Sequence, residues 1–156
     1  MSDLNLIKGS FKKLCDNLPD ILIKHMDIID LAPERLSLRG KSLEDALKDQ
    51  GAWPIVYAST KAELDAVCKY IDSEISRVRS VLVRQYVEEY SREISDRVRE
   101  KYIDGDGEYL KYYHLYLEVK ELYEKASAAT DAFTTRGFAL RDITLIRVNQ
   151  LHTTAL

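Results

Sequence analysis

An all-α fold is predicted by three features of the chain. Glycine and proline together number only nine in 156 residues, too few for a loop-rich or disordered protein. From Thr60 to about Tyr102 there is neither, and Leu64, Val67, Ile71, Ile75, Val78, Leu82, Tyr86, Tyr90, Ile94, Val98 and Tyr102 recur every three or four positions, the period of one amphipathic helix face. Beyond the turn DGDGE, residues Tyr109, Tyr112, Tyr116, Val119, Tyr123, Ala126, Thr130 and Phe133 are spaced 3-4-3-4-3-4-3, which is a heptad seam. The expected architecture is a long antiparallel helical hairpin with that seam, flanked by short N- and C-terminal helices. The first arm supplies one partner for the seam and other subunits are available for the rest.

The elements follow in order. Leu4, Ile7, Phe11, Leu14, Leu18, Ile21 and Leu22 keep helical spacing, with an interruption expected at Pro19. From Ile28 to Gly40 the chain reads as a connector broken by Pro33 and Gly40. Ser42 with Asp45 forms a capping box for a short helix LEDALKDQ, which Gly51 is expected to stop; a new helix begins near Ile55. Thr60 with Glu63 forms a second box and opens the long arm. That arm is one helix of roughly 40 residues or two end to end, a length that points to a coiled coil or packed hairpin. In DGDGE, Gly105 is expected in the left-handed conformation, with Asp104 or Asp106 capping the next helix and Glu108 in its first turn. Gly137 reads as a C-cap, FALRDITLIRV as a last short helix, and LHTTAL as a frayed end. The division is 1–58, an N-terminal helical segment with connector, and 59–156, the hairpin with a C-terminal oligomerisation helix.

Several chemistries are excluded by spacing. A calcium loop begun at Asp104 would need glycine at its sixth position and glutamate at its twelfth, where Tyr109 and Leu115 stand. A dinucleotide fingerprint lacks its third glycine and its strand. Gly40-Lys41-Ser42 resembles the end of a phosphate loop, but the earlier glycine falls on Arg35. His25, His114 and His152 are scattered, and no spacing suits zinc. The expectation is a protein that is not an enzyme and uses no cofactor or metal. Cys15 and Cys68 read as small buried hydrophobes in a reducing cytoplasm. No apolar run approaches the roughly 20 residues that span a bilayer, and MSDLNLIKGS is unlike a signal peptide.

Binding is the remaining class. The net charge of −3 means that nucleic-acid affinity must come from a local patch. Segment 77–101 carries seven basic and five acidic residues, a local net of +2. On a helix, Arg77, Arg84, Arg92 and Arg99 fall within roughly 80° of arc, with Ser73, Ser80, Ser91 and Ser95 beside them and Glu88 interrupting. One reading is a phosphate track; the other is a solvated face laced by pairs such as Glu93 with Arg97. Ten of the fourteen aromatics are tyrosine. Those from 109 to 123 lie on the seam and read as packing, whereas Tyr86, Tyr90 and Tyr102 are open to base stacking. Trp53, near Tyr57, reads as a core residue that docks the N-terminal segment, with a partner anchor as the other reading.

GDGEYLKYYHLYLEVKELYEKASAATDAFTTRGFALRDI resembles the C-terminal region of UvsY-type recombination mediators of tailed phages. The matching order is a Gly/Asp turn, a long helix, the element Thr135-Arg136-Gly137-Phe138, and a closing helix with the basic Arg141. LRGKSLEDALKDQGAWPIVYASTKAELD is similar to the N-terminal part of such proteins. The resemblance implies a protein of the bacterial host cytoplasm that binds single-stranded DNA. It implies a ring-like hexamer or heptamer that helps load a phage recombinase onto strands covered by single-strand-binding protein. It places the DNA-binding residues on the helix before the turn, where Arg84 matches by counting back and Leu82 stands near the family's neighbouring lysine. Arg77, Arg84, Arg92 and Arg99 are therefore the candidate nucleic-acid contacts. Tyr109, Tyr112, Tyr116, Val119, Tyr123, Phe133 and Phe138 are the candidate oligomerisation residues. A helical phage scaffold or adaptor without DNA binding is the competing class. A helix-turn-helix regulator is disfavoured, because 136–150 offers one short helix and no recognition helix.

Overall fold

The computed structural model describes residues 3–89 and 95–154, with side chains over 17–88 and 95–150. They form five helices: α1 (Asp3–Asp30), α2 (Ala32–Leu36), α3 (Leu43–Glu89), α4 (Asp96–Asp104) and α5 (Gly107–Thr154). The described residues contain no strand, so the all-α class holds. The chain divides into two compact units, Met1–Thr60 with Lys125–Leu156, and Lys61–Glu124. The sequence division at 58/59 falls beside the first boundary, but the pattern does not foresee that 125–156 joins the N-terminal segment.

Local punctuation is weaker than it reads. Pro19 lies inside α1 and Pro54 inside α3. Gly51 does not stop a helix, and Thr60 is an interior position of α3 at 3% exposure rather than a cap. A helix-interior proline costs about 3 kcal/mol and a glycine about 1 kcal/mol. Packing of the same turns offsets those costs, because Trp53 and Tyr57 both join the core of the first unit. Where nothing packs, local chemistry decides. Gly40, at φ +75°, turns the chain between α2 and α3 in the region glycine enters without strain. The Ser42 box forms: Asp45 N donates to Ser42 Oγ at 3.1 Å, and Ser42 Oγ donates to Asp45 Oδ2 at 2.6 Å.

The long arm is two helices, α3 and α4; Tyr90, Arg92 and Ile94 lie outside the described residues. At DGDGE, Gly105 is right-handed (φ −93°, ψ −3°), against the left-handed expectation, and its N–H bonds back to the Lys101 carbonyl. Asp106 is the cap of α5. Its Oδ1 accepts from Glu108 N at 2.8 Å and Tyr109 N at 3.1 Å, satisfying first-turn donors that the helix leaves open.

In the first unit, Tyr57 and Phe133 are fully buried and stack with ring centroids 4.9 Å apart. Such a pair adds about 0.5–1.5 kcal/mol beyond its buried area. Ala32 and Ala129 complete the cluster, with Ile28, Leu36 and Trp53 around it. Tyr57 Oη donates to the Ile28 carbonyl at 2.8 Å, which fastens α1 to α3. The Arg35 guanidinium lies 3.9 Å from the centre of the Trp53 ring. Trp53, partly buried, thus meets α2, which lies in the stretch read as a connector, not the N-terminal helix it was expected to dock.

Gln50 ties α3 to α5. Its Nε2 donates to the Phe133 carbonyl at 2.8 Å, and its Oε1 accepts from Arg136 Nη1 at 2.8 Å. Gly137 is no C-cap: α5 runs through it to Thr154, absorbing the expected last helix. A Cβ at Gly137 would stand 2.9 Å from Gln50 Nε2. The glycine is there because Gln50 passes over it. Buried α5 positions continue past it as Ala126, Ala129, Phe133, Arg136 and Leu140, the same 3-4 rhythm as the seam.

In the second unit, Leu64, Cys68, Ile71, Val78 and Leu82 are buried along α3, with Ile75 half-buried between them. Val78 and Leu82 form a cluster with Ile103 of α4, and Tyr86, Tyr109 and Tyr112 pack against it. Burial pushes the Cys68 thiol above its ordinary value, as expected of a small hydrophobe; Cys15's side chain lies outside the described residues.

Gly137→Ala therefore tests the bridge. At an open helix position alanine would stabilise by about 1 kcal/mol. Here it is expected to destabilise by about 1–2 kcal/mol, because displacing Gln50 leaves buried polar groups unmatched. In a Gln50→Ala background the same change should become stabilising. Urea unfolding followed by circular dichroism measures both; stabilisation in the wild-type background would contradict the close approach.

Candidate functional site

The charged face of the second unit is where sequence and structure diverge most. Arg77 is exposed on α3, but its Nε donates to Glu74 Oε2 at 2.7 Å. That bond, and after it the nearby charges of Glu74 and the Tyr112 and Glu108 groups, raises its pKa. Arg99, on α4, pairs with Asp96 at 2.9 Å. Arg79 reaches from α3 to Glu100 on α4 and lies 3.8 Å from Asp104. Arg84 is exposed on α3 and has no acidic partner among the described residues. Arg92 lies outside the described residues, as does the Glu93 proposed to pair with Arg97. The four-arginine track is thus one uncommitted cation, two committed ones and one undescribed. Exposed pairs add little stability, about 0–1 kcal/mol each, but they decide where uncompensated charge remains.

The seam residues divide by burial. Val119 and Phe133 are fully buried within the chain. Tyr109 and Tyr112 pack on the Val78–Leu82–Ile103 cluster. Tyr116 and Tyr123 are half-buried, and Lys120 Nζ lies 4.6 Å and Lys61 Nζ 6.0 Å from the Tyr123 ring centre. Phe138 is the outward residue of the set, 55% exposed, with the Arg141 guanidinium 5.4 Å from its ring centre. In Thr135-Arg136-Gly137-Phe138, the arginine and glycine serve the Gln50 bridge and the phenylalanine points out. The sequence reading missed Gln50 altogether; nothing in its neighbourhood marks a glutamine as the partner of a position 86 residues away.

Arg136 is 6% exposed. Its Nε and Nη2 make no hydrogen bond among the described residues; its charge is a minor contributor, after Lys41, to holding the Asp49 carboxyl below its ordinary value. Asp49 itself pairs with Lys41 Nζ at 2.6 Å. These two and Leu31, Glu34, Arg35 and Trp53 line a cavity of 360 Å³. Its two cations and two acids are equal in number and Lys41 is already bonded to Asp49, so it favours no ligand charge. Among the described residues no three His, Cys, Asp or Glu side chains converge as a metal site, and no helix is long and apolar enough to cross a membrane.

No family model matches the chain, and neither a curated protein nor a solved structure matches it.

The Lys41–Asp49 pair has a testable pH signature. The Lys41 hydrogen bond, chiefly, holds the Asp49 carboxyl below its ordinary 3.8. A depressed folded-state value contributes stability that is complete above 3.8 and is lost as pH falls through the folded value. Lys41→Met should lower the thermal midpoint at neutral pH, and its difference from wild type should shrink in acid well below 3.8. A difference that stays constant with pH would show that Lys41 acts by packing alone.

Proposed function

We propose that this chain is a single-stranded DNA-binding recombination mediator that helps load a recombinase onto DNA coated by single-strand-binding protein. It works as a hairpin-built ring of six or seven subunits. The observation that carries the reading is Arg84: exposed, without an acidic partner among the described residues, and on the helix position that the UvsY-type resemblance marks for DNA. A backbone grip by scattered cations is sequence-neutral, which suits a protein that must hold any strand and then release it. Each subunit's patch is weak, and a ring that repeats it gains avidity without a strong single contact. Phe138, outward in an element whose neighbours are committed to the fold, supports a subunit contact at that end of α5.

A second reading has its own support. Leu145 and Ile146 are exposed on α5 as well, at 55% and 57%, and Arg77 and Arg99 are committed to acids. A phage scaffold or adaptor that assembles without DNA would look the same.

One measurement separates them, and a second tests the subunit contact that both need. Fluorescence anisotropy of a labelled single-stranded oligonucleotide should show binding that weakens steeply with salt and is poor for duplex; Arg84→Ala with Arg92→Ala should weaken it with helicity and oligomer size unchanged. Absence of binding at low salt would favour the assembly protein. Phe138→Asp should lower the mass measured by light scattering and leave helicity intact, whereas Phe133→Asp should unfold the first unit. An unchanged mass for Phe138→Asp would remove Phe138 from the subunit contact.

A further inference from the structure

The nine residues of α4, DRVREKYID, hold three acids and three cations, and as sequence they promise nothing. Folding sorts them. Ile103 is fully buried against Val78 and Leu82, which fixes the inner side of the helix. Arg99, four residues earlier, lies near that side and takes Asp96. Arg79 of α3 takes Glu100 and Asp104. The three acids of α4 thus share two cations, Arg99 for Asp96 and Arg79 for Glu100 and Asp104. Arg97 and Lys101 are exposed and have no acidic partner among the described residues. They are four residues apart, one turn, and at about 100° per residue both point roughly 120–160° away from Ile103. Arg97 and Lys101 are thus the unpaired cations of α4's outer side, which they share with Asp104, about 20° from Arg97 and drawn toward Arg79.

Tyr102 flanks that side, about 100° round the helix from Lys101 and about 140° from Arg97. Tyr102 is 49% exposed, and its ring stacks on Tyr86 of α3 with centroids 5.7 Å apart. One side of Tyr102 is thus supported by Tyr86, while about half of its surface remains open to solvent. Val98, one turn before Tyr102 and 41% exposed, continues the apolar strip. Cations at one-turn spacing beside a backed aromatic ring are the two parts of a sequence-tolerant single-strand site: phosphates on the cations, a base on the ring.

We infer that the outer face of α4 grips single-stranded nucleic acid, with Arg97 and Lys101 on successive phosphates and Tyr102 as the stacking platform for a base. Resting on the reading of the chain as a strand-binding protein, it places the grip on α4 in preference to the stripe of Arg77 and Arg99. Arg79, Ile103 and Tyr86 act as positioning residues that hold the face outward.

The test is anisotropy of a labelled oligothymidylate with the full chain across a salt series. Arg97→Ala with Lys101→Ala should weaken binding about tenfold or more. It should also flatten the log–log salt slope by about 1.4, since each phosphate contact on a single strand contributes roughly 0.7. Tyr102→Ala should weaken binding at least about fivefold with the slope unchanged, and Tyr102→Phe should bind as wild type does. Arg77→Ala with Arg99→Ala should leave the slope as it is. Circular dichroism of each variant checks that helicity is kept; the two exposed cations can be removed without touching the Ile103 core. Wild-type binding that persists unchanged in Arg97→Ala with Lys101→Ala would overturn the α4 site and leave the strand-binding reading standing. No binding by wild type at low salt would overturn both.

Discussion

Gln50 sits where the first unit is decided. One amide group serves two partners on α5: the Phe133 carbonyl, which an uninterrupted helix would otherwise leave to its own ladder alone, and the Arg136 guanidinium. Both partners are in the core, where a broken hydrogen bond leaves a buried polar group unmatched at about 1–3 kcal/mol. The bridge needs α5 to come close, and Gly137 permits that approach. It needs α3 to continue unbroken past Gly51 and Pro54, and the stacking of Tyr57 on Phe133 holds it there. Nearby on the same helix, Asp49 pairs with Lys41 beside the turn at Gly40. One polar contact thus aligns the register of two helices, and the aromatic cluster fills the space that this register creates.

The second unit uses charge in a different way. Its core is apolar and heptad-spaced, and its ion pairs lie at the surface, where they add little to stability. Their effect is to sort charge. Arg77, Arg79 and Arg99 meet Glu74, Glu100, Asp104 and Asp96, and among the described residues Arg84 on α3, Arg97 and Lys101 on α4 and Lys111 on α5 have no acidic partner. The net charge of −3 therefore does not describe each side of α3 and α4, because surface pairs distribute the acids unevenly among the arginines.

Helix identity and the two apolar rhythms were legible in the sequence, because a 3-4 spacing over several turns has one cheap solution. Caps at Ser42 and Asp106 were legible too, since their hydrogen bonds are local. Expected breaks at Pro19, Gly51, Pro54 and Gly137 all lie inside helices, and for Gly137 a distant contact overrides the local preference. Gly137 shows why. Its reason is a side chain 87 positions earlier, which no window along the chain contains. Angular spacing records where a cation points and not whether an acid meets it: Arg77 and Arg99 of the stripe pair with Glu74 and Asp96, three residues earlier on their own helices. Arg97 and Lys101 are the converse case, found by removing the pairs that geometry shows.

The proposed strand site lies on the cations and the backed tyrosine of the second unit, and the polar bridge of the first unit lies outside it. Photocrosslinking of a bromouridine-substituted single strand, followed by peptide mapping, separates the two regions. Crosslinks are expected in the segment from Arg97 to Tyr102 and none around Gln50 or Arg136. Crosslinks confined to the first unit would contradict that placement.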